Sequence, residues 1–466
     1  MRYVSTRGNA PELSFDDVLL AGLAEDGGLY VPTHWPTFSD DELRDMRALS
    51  YQDLAVRLMG PFVAGSLTDD ELASIVNRAC ESFHHPAIAP LRQIDRDDWV
   101  MELFHGPTLA FKDYALQMVG LFFDTVLERR GERVLVVGAT SGDTGSAAIA
   151  ALQGRKAADV VILLPRGRVS EVQRRQMTTV DSPNVEVIAI DGTFDDCQAL
   201  VKALFADIPL RDDLNLAAVN SINWARVMAQ TVYYFWAGLR LGAPDTPIGF
   251  SVPTGNFGNV FAGWVARQMG LPIDRLVVAS NRNDILTRFF ETGAMRKGIV
   301  HQTLSPSMDI QVSSNFERLL FEVLDRDGDE VARLMTRFQE TGEYSIDNDL
   351  HQELLGLFRA FRLDDARTKD AMRELYDATG EILDPHSAIG VMAGREVGHR
   401  DEGTPMVALA TAHPAKFPDA VREALGFEPE VPRVIRDIMD RPERITELPN
   451  DLDALKSHLR ARRAAQ

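Results

Sequence analysis

Glu102-Leu-Phe-His-Gly-Pro-Thr-Leu-Ala-Phe-Lys-Asp-Tyr-Ala-Leu-Gln117 joins two kinds of periodicity. The run Trp99 to Phe104 alternates in an apolar register and reads as a strand. His105-Gly106-Pro107 breaks it, and from Ala110 the apolar residues return at helical spacing: Phe111, Ala115, Met118, Val119, Phe122 and Val126. Lys112 therefore falls in the first turn of a helix that follows a strand end. A helix N-terminus carries partial positive charge and favours anions, so it is a poor place for a structural lysine. In an α/β cleft its ammonium form would be disfavoured, and a neutral amine is what Schiff-base chemistry needs. The competing reading is a solvated lysine on a helix surface.

The pattern continues outward from this stretch. Expected strands are Trp99–Phe104, Arg133–Gly138, Val160–Leu164, Val185–Ile190, Leu216–Val219, Ile248–Val252 and Leu276–Ala279, with Met406–Ala410 after a gap. Helices are expected between them, among others at Ser146–Leu152, Phe194–Phe205, Trp224–Leu241 and Val260–Met269. Short, continuously apolar, β-branched strands alternating with helices define an α/β protein whose parallel sheet is covered on both faces. Ligands in such sheets bind at the carboxyl ends of the strands. Residues 1 to 95 read as a mostly helical segment, with N-cap pairs Ser14/Asp17, Ser39/Glu42 and Thr68/Glu71, the last two as capping boxes. Residues 310 to 375 read as a helical insertion, and the charged tail from 428 as helical and peripheral.

The chain has 466 residues, 45% hydrophobic and 25% charged, with a net charge of −20. That is enough for two or three domains of ordinary globular composition. The acidic balance argues against nucleic acid and against an anionic membrane surface as partners. Two cysteines, Cys80 and Cys197, do not make a disulfide framework, so a reducing cytoplasm is expected. No stretch reads as a membrane span or as a signal-peptide core. His84-His85 has no acidic or thiol partners at ligand spacing, and no metal site is expected; His105, His386 and His413 each have a local turn or packing explanation. Of these, His105 is the one most readily placed in an active site, because it shares a loop with Lys112.

Three further strand-to-helix loops carry chemistry. Gly138-Ala-Thr-Ser-Gly-Asp-Thr-Gly145 has the small residues that let backbone N–H groups and hydroxyls converge on an anion. It is neither a P-loop nor G-x-G-x-x-G. Pro253-Thr-Gly-Asn-Phe-Gly-Asn259 repeats the device and can wrap a phosphate. Asn220-Ser-Ile-Asn-Trp-Ala-Arg226 offers amide and hydroxyl donors, with Arg226 one turn into a helix, where a guanidinium can grip phosphate; a surface arginine is the competing reading. Thr411 ends the last strand with a hydroxyl. One such loop is commonplace, but two anion loops and a lysine at a third junction form a pattern.

Together, His-Gly-Pro-Thr-Leu-Ala-Phe-Lys-Asp (105–113), Thr-Ser-Gly-Asp-Thr-Gly (140–145), Val-Pro-Thr-Gly-Asn-Phe-Gly-Asn (252–259) and Ala-Thr-Ala-His-Pro-Ala-Lys-Phe (410–417) resemble the threonine synthase family in its longer bacterial and fungal form. Tyr3–Gly8, Gly22–Pro32 and Ser305–Phe316 share the likeness, which runs to about residue 420. The resemblance implies pyridoxal 5'-phosphate as cofactor and the fold of the tryptophan-synthase β group. That fold has two open, mostly parallel sheet domains with helices on both faces and the cofactor in the cleft. The expected spans are 1–95, 96–220, 221–427 and 428–466.

It further implies that Lys112 bears the cofactor and shuttles protons, and that Gly255, Asn256, Phe257, Gly258 and Asn259 hold the cofactor phosphate. Thr411 would meet the pyridine nitrogen and Asn220 a cofactor oxygen. Thr140, Ser141, Gly142, Asp143 and Thr144 would face the substrate carboxylate, with Ser221 and Arg226 at the substrate phosphate. An aspartate near a carboxylate repels it unless hydrogen-bonded or protonated, so Asp143 as a simple helix cap is the other reading. The implied reaction converts O-phospho-L-homoserine and water to L-threonine and phosphate, in a monomer or homodimer. The alternatives are a phospho-lyase or amino-acid dehydratase on the same fold, a cofactor-less relative, and a metal-dependent hydrolase.

Overall fold

The computed structural model describes residues 1–140, 142–217, 221–398 and 403–464. It divides into two compact units: Met1–Val18, Leu23–Ala115 and Ser221–Pro429 form the first, and Leu19–Gly22, Leu116–Asn220 and Glu430–Gln466 the second.

The first unit is built on a six-stranded sheet in the order Phe358–Arg362, Ile273–Ser280, Ile248–Pro253, Met406–Ala410, Asp98–Glu102, Leu91–Gln93. Every neighbouring pair is parallel except the last. Ile248, Phe250, Val252 and Met406–Leu409 are all buried, as parallel strands covered on both faces must be. Met406–Ala410 is inserted between Ile248–Pro253 and Asp98–Glu102. The carboxyl ends of these three strands are therefore neighbours, and they lead into the Lys112 loop, the Pro253–Asn259 loop and Thr411. Helices Trp224–Arg240, Gly258–Gln268 and Pro385–Ala393 pack in this unit, the last against Met406–Ala410 and Ile248–Pro253.

The N-terminal residues other than Leu19–Gly22 belong to this unit. Ser39/Glu42 and Thr68/Glu71 do form capping boxes. Tyr3–Ser5 pairs antiparallel with Tyr30–Pro32, and the Tyr3 hydroxyl donates to the carbonyl of Phe62 at 2.7 Å. Trp224 is fully buried against the rings of Tyr3, Trp35 and Phe62. The insertion expected as helical contributes more than helices: Phe358–Arg362 is the edge strand beside Ile273–Ser280.

The second unit holds an all-parallel sheet in the order Thr446–Leu448, Val185–Ile190, Ala158–Pro165, Val134–Ala139, Leu216–Ala217. The tail is not peripheral, which corrects the sequence expectation. Thr446–Leu448 adds the edge strand, and Leu455 and Leu459 of helix Leu452–Ala464 are fully buried with Leu163, Ile188 and Leu204. Glu186 accepts from His458 at 2.7 Å and from Arg462 at 3.0 Å, and Lys456 donates to Asp207 at 2.7 Å.

Candidate active site

Lys112 is the first residue of helix Lys112–Arg130 and is buried. Its approach loop is closed by Asp113, whose carboxylate accepts from the amide of Thr108 at 2.8 Å and from its hydroxyl at 2.7 Å. A Cβ on Gly106 would lie 2.5 Å from Asp113 Cβ, so only glycine lets the loop fold over this carboxylate. Burial pushes the Asp113 carboxyl up to about 6, opposed by the Thr108 hydrogen bonds and the charge of Lys416. The same loop is fastened to the segment after Met406–Ala410. Leu103 N donates to Ala410 O (2.9 Å), Phe111 N to Thr411 O (2.9 Å) and His413 N to Leu109 O (3.0 Å). Lys416, fully buried, donates from Nζ to the carbonyl of Thr108 at 2.7 Å. Lys112 and Thr411 are thus brought together by backbone pairing. Thr411 is held in turn by Ser387, whose hydroxyl accepts the Thr411 amide at 3.1 Å and donates to Asp384.

The Pro253–Asn259 loop turns at Phe257, a non-glycine residue in the left-handed region with φ +62°. It opens helix Gly258–Gln268 with no side-chain cap on the first amides. The carbonyl of Gly255 accepts from Ser313 Oγ at 2.8 Å, and that of Asn256 accepts from the Asn315 amide and from Asn315 Nδ2, both at 3.0 Å. In a trans peptide the N–H points opposite to the carbonyl. Pinning these two carbonyls to residues 313–315 therefore turns the N–H groups of Asn256 and Phe257 the other way. Uncapped helix amides together with these give the geometry that can hold a phosphate. Asn259 Oδ1 accepts from the hydroxyls of Tyr233 (2.6 Å) and Tyr234 (3.0 Å), while its buried Nδ2 has no hydrogen-bond partner.

Beside this cradle, Asn223 caps helix Trp224–Arg240 through Ala225 N at 3.0 Å. Arg226 is not a surface residue. It is 5% exposed, and its Nη1 has no hydrogen-bond partner. Burial pushes its guanidinium down to about 10. A buried donor left unmade is costly, and an anion is the kind of partner that could satisfy it. The Ser221 carbonyl lies 3.7 Å from where a Cβ on Gly258 would sit, so the two anion loops adjoin.

In the second unit, Thr140 Oγ1 accepts from Gly142 N and Gly145 N, both at 2.9 Å, and Gly142 has φ +147°. Asp143 does not cap the helix. It is the first residue of Asp143–Leu152, and its Oδ1 accepts from Gln173 Nε2 at 2.8 Å. Gly142 is the N-cap and makes no side-chain cap; Thr144 is half-buried. Ser141 and Asn220, also expected at the site, lie outside the described residues.

The histidines have local partners. His105 Nε2 is 2.7 Å from Glu102 Oε2, His386 Nδ1 is 2.7 Å from Asp384 Oδ1, and His413 Nδ1 accepts from Ala415 N at 3.1 Å. Among the described residues, no group of three or more His, Cys, Asp or Glu is placed to hold a metal ion. The sequence reading assigned no role to Asn315, Lys416, Ser387 or Gln173. The first two stand in stretches quoted for their family likeness, which was the available signal.

A buried lysine, an uncapped helix N-terminus behind a glycine loop and a hydroxyl, at the ends of neighbouring parallel strands, define an α/β enzyme of the pyridoxal-phosphate class. Residues 85–337 match the family model described as pyridoxal-phosphate dependent enzyme. Residues 2–80 match threonine synthase N terminus and 387–459 threonine synthase, C-terminal, the latter taking in most of the tail. A threonine synthase of Pseudomonas aeruginosa is 54% identical over 97% of this chain and 96% of its own length. A crystal structure of PLP-bound threonine synthase from Brucella melitensis superimposes with TM-score 0.97 at 51% identity, covering 99% of both chains. The yeast threonine synthase structure gives 0.95 at 37% identity, covering 100% of this chain and 99% of the other. The chain belongs to the threonine synthase family.

Proposed function

We propose that the chain is a threonine synthase, converting O-phospho-L-homoserine and water to L-threonine and phosphate by β,γ-elimination and replacement, the last step of threonine biosynthesis. The observation that carries this is the adjacency of two anion loops, one holding buried Arg226 with its unpartnered Nη1, in the same unit as Lys112 and Thr411. The groups present fit pyridoxal phosphate: an amine for its aldehyde, the Gly255–Gly258 cradle for its phosphate, a hydroxyl for its ring nitrogen. When bound, that cofactor supplies an electron sink for a carbanion at the substrate Cα.

The rest is the work of this chain. Lys112 would hold the cofactor, and its amine would take and return protons at the substrate carbons. Ser221 and Arg226 hold the substrate phosphate and neutralise it as it leaves Cγ. Thr140, Ser141, Gly142, Asp143 and Thr144 receive the substrate carboxylate. The Gln173 bond holds the Asp143 carboxylate, which bears on how an aspartate is tolerated beside a second carboxylate. Thr411 offers the ring nitrogen a hydroxyl, which cannot keep it protonated as a carboxylate would. Free thiols at Cys80 and Cys197 accord with a cytoplasmic enzyme, which we take to be a monomer or homodimer.

The test is one assay. Protein with added pyridoxal phosphate is given O-phospho-L-homoserine, and free phosphate and L-threonine are both quantified, beside Lys112→Ala. Equal amounts of the two, lost in the variant, are expected. Phosphate with a keto acid in place of threonine would move the chain to the phospho-lyase reading.

A further inference from the structure

Residues 313–318 link segments that are far apart in sequence. Asn315 Nδ2 donates to two carbonyls at once: Ser221 O at 3.1 Å and Asn256 O at 3.0 Å. One carbonyl belongs to the loop of Arg226, the other to the glycine loop before helix Gly258–Gln268. The opposite end of the Asn315 amide is not free to rotate, because Oδ1 accepts from Arg318 Nη1. Arg318 is itself fully buried. It donates to Ile222 O at 2.6 Å and to Tyr30 O through Nε (3.1 Å) and Nη2 (3.0 Å). A planar guanidinium presents its donors in a fixed fork, so these acceptors are set at fixed positions around it. A Cβ on Gly258 would sit 3.2 Å from Asn315 Nδ2, which leaves little slack at the junction.

Serving both loops with one oriented amide does more than stabilise either. The peptides of Ser221 and Asn256 cannot move apart without breaking a hydrogen bond to the fully buried Asn315. Ser313 lacks this property, since among the described residues its hydroxyl donates to Gly255 O alone. We propose that Asn315, locked by Arg318, is a positioning residue that sets the separation between the cofactor-phosphate cradle and the substrate-phosphate cradle, and so selects the chain length of the phosphorylated substrate. This rests on the reading of the two loops as anion cradles. Misplacing bound groups by about 1 Å can cost on the order of 100-fold in rate, so a fixed span is an effective selector.

The test uses the holoenzyme and two readouts: the ³¹P resonance of the bound cofactor, and the dissociation constant of added inorganic phosphate. Asn315→Ala is expected to do both things, shifting the cofactor resonance and weakening phosphate by about tenfold or more, the equivalent of ~1.4 kcal/mol. Ser313→Ala should shift the resonance alone, and Arg226→Gln should weaken phosphate alone. Arg318→Lys, which keeps the charge but loses the fork, should repeat the double effect in milder form and serves if Asn315→Ala does not fold. A folded Asn315→Ala or Arg318→Lys that moves only one readout, or neither, overturns the proposal. If the wild type does not bind inorganic phosphate, or Arg226→Gln binds it normally, the cradle reading fails and the proposal with it.

Discussion

Asp113 closes the Lys112 loop on Thr108, taking its amide and its hydroxyl on the two oxygens of one fully buried carboxylate. The carboxyl is raised to about 6 chiefly by burial. In the unfolded chain an aspartate titrates near 3.9. The folded state therefore binds the proton more tightly, and stability from this group is fully present below about pH 4 and lost as pH rises through 6. The shift corresponds to roughly 3 kcal/mol between those limits. Asp113→Asn should remove this component. Urea unfolding from pH 4 to 7 is expected to show the wild type losing ground to the variant as pH rises. A constant difference across that range would refute the assignment.

Arg226 is expected to trade stability for binding. Its unpaired Nη1 is a cost to the ligand-free fold. Arg226→Met should leave the melting temperature of the ligand-free protein unchanged or raised. At the same time KM for O-phospho-L-homoserine should rise by about 100-fold, in line with removing one partner of a buried charge contact. A variant that melts lower and keeps its KM would contradict both halves.

Gln173 holds the Asp143 carboxylate in the second unit. Gln173→Leu should cost about 1–3 kcal/mol in chemical denaturation, because a buried acceptor loses a donor. Adding Asp143→Asn should recover part of that cost. Additive losses in the double variant would mean the two side chains are not coupled.

The tail is part of the core of its unit. Leu459→Ala, at a fully buried position among Leu163, Ile188 and Leu204, should destabilise by about 2–5 kcal/mol. Differential scanning calorimetry would detect it. A change below ~0.5 kcal/mol, ordinary for surface positions, would return the tail to the periphery.

The elements themselves were legible because their signals are local. Val185–Ile190 and Met406–Ala410 were read to the residue, and the capping boxes at Ser39 and Thr68 follow from spacing alone. Lys112 at a helix start was legible for the same reason. Short strands hidden among charges were not: Phe358–Arg362 and Thr446–Leu448 are strands because a neighbour's backbone accepts them, which no run of side chains announces.

The sequence by itself determined the alternation of strand and helix, the glycine loops at strand ends and the residue types that can meet phosphate, amine and ring nitrogen. Strand order was decided only in three dimensions, and with it the placing of Met406–Ala410 between two strands distant in sequence, so that Thr411 meets the Lys112 loop. The burial of Arg226, the turn of Asp143 toward Gln173 and the reach of Asn315 across two loops belong to the same category. Propensity and capping act over a few residues, whereas burial and hydrogen-bond satisfaction are settled by partners tens to hundreds of positions away.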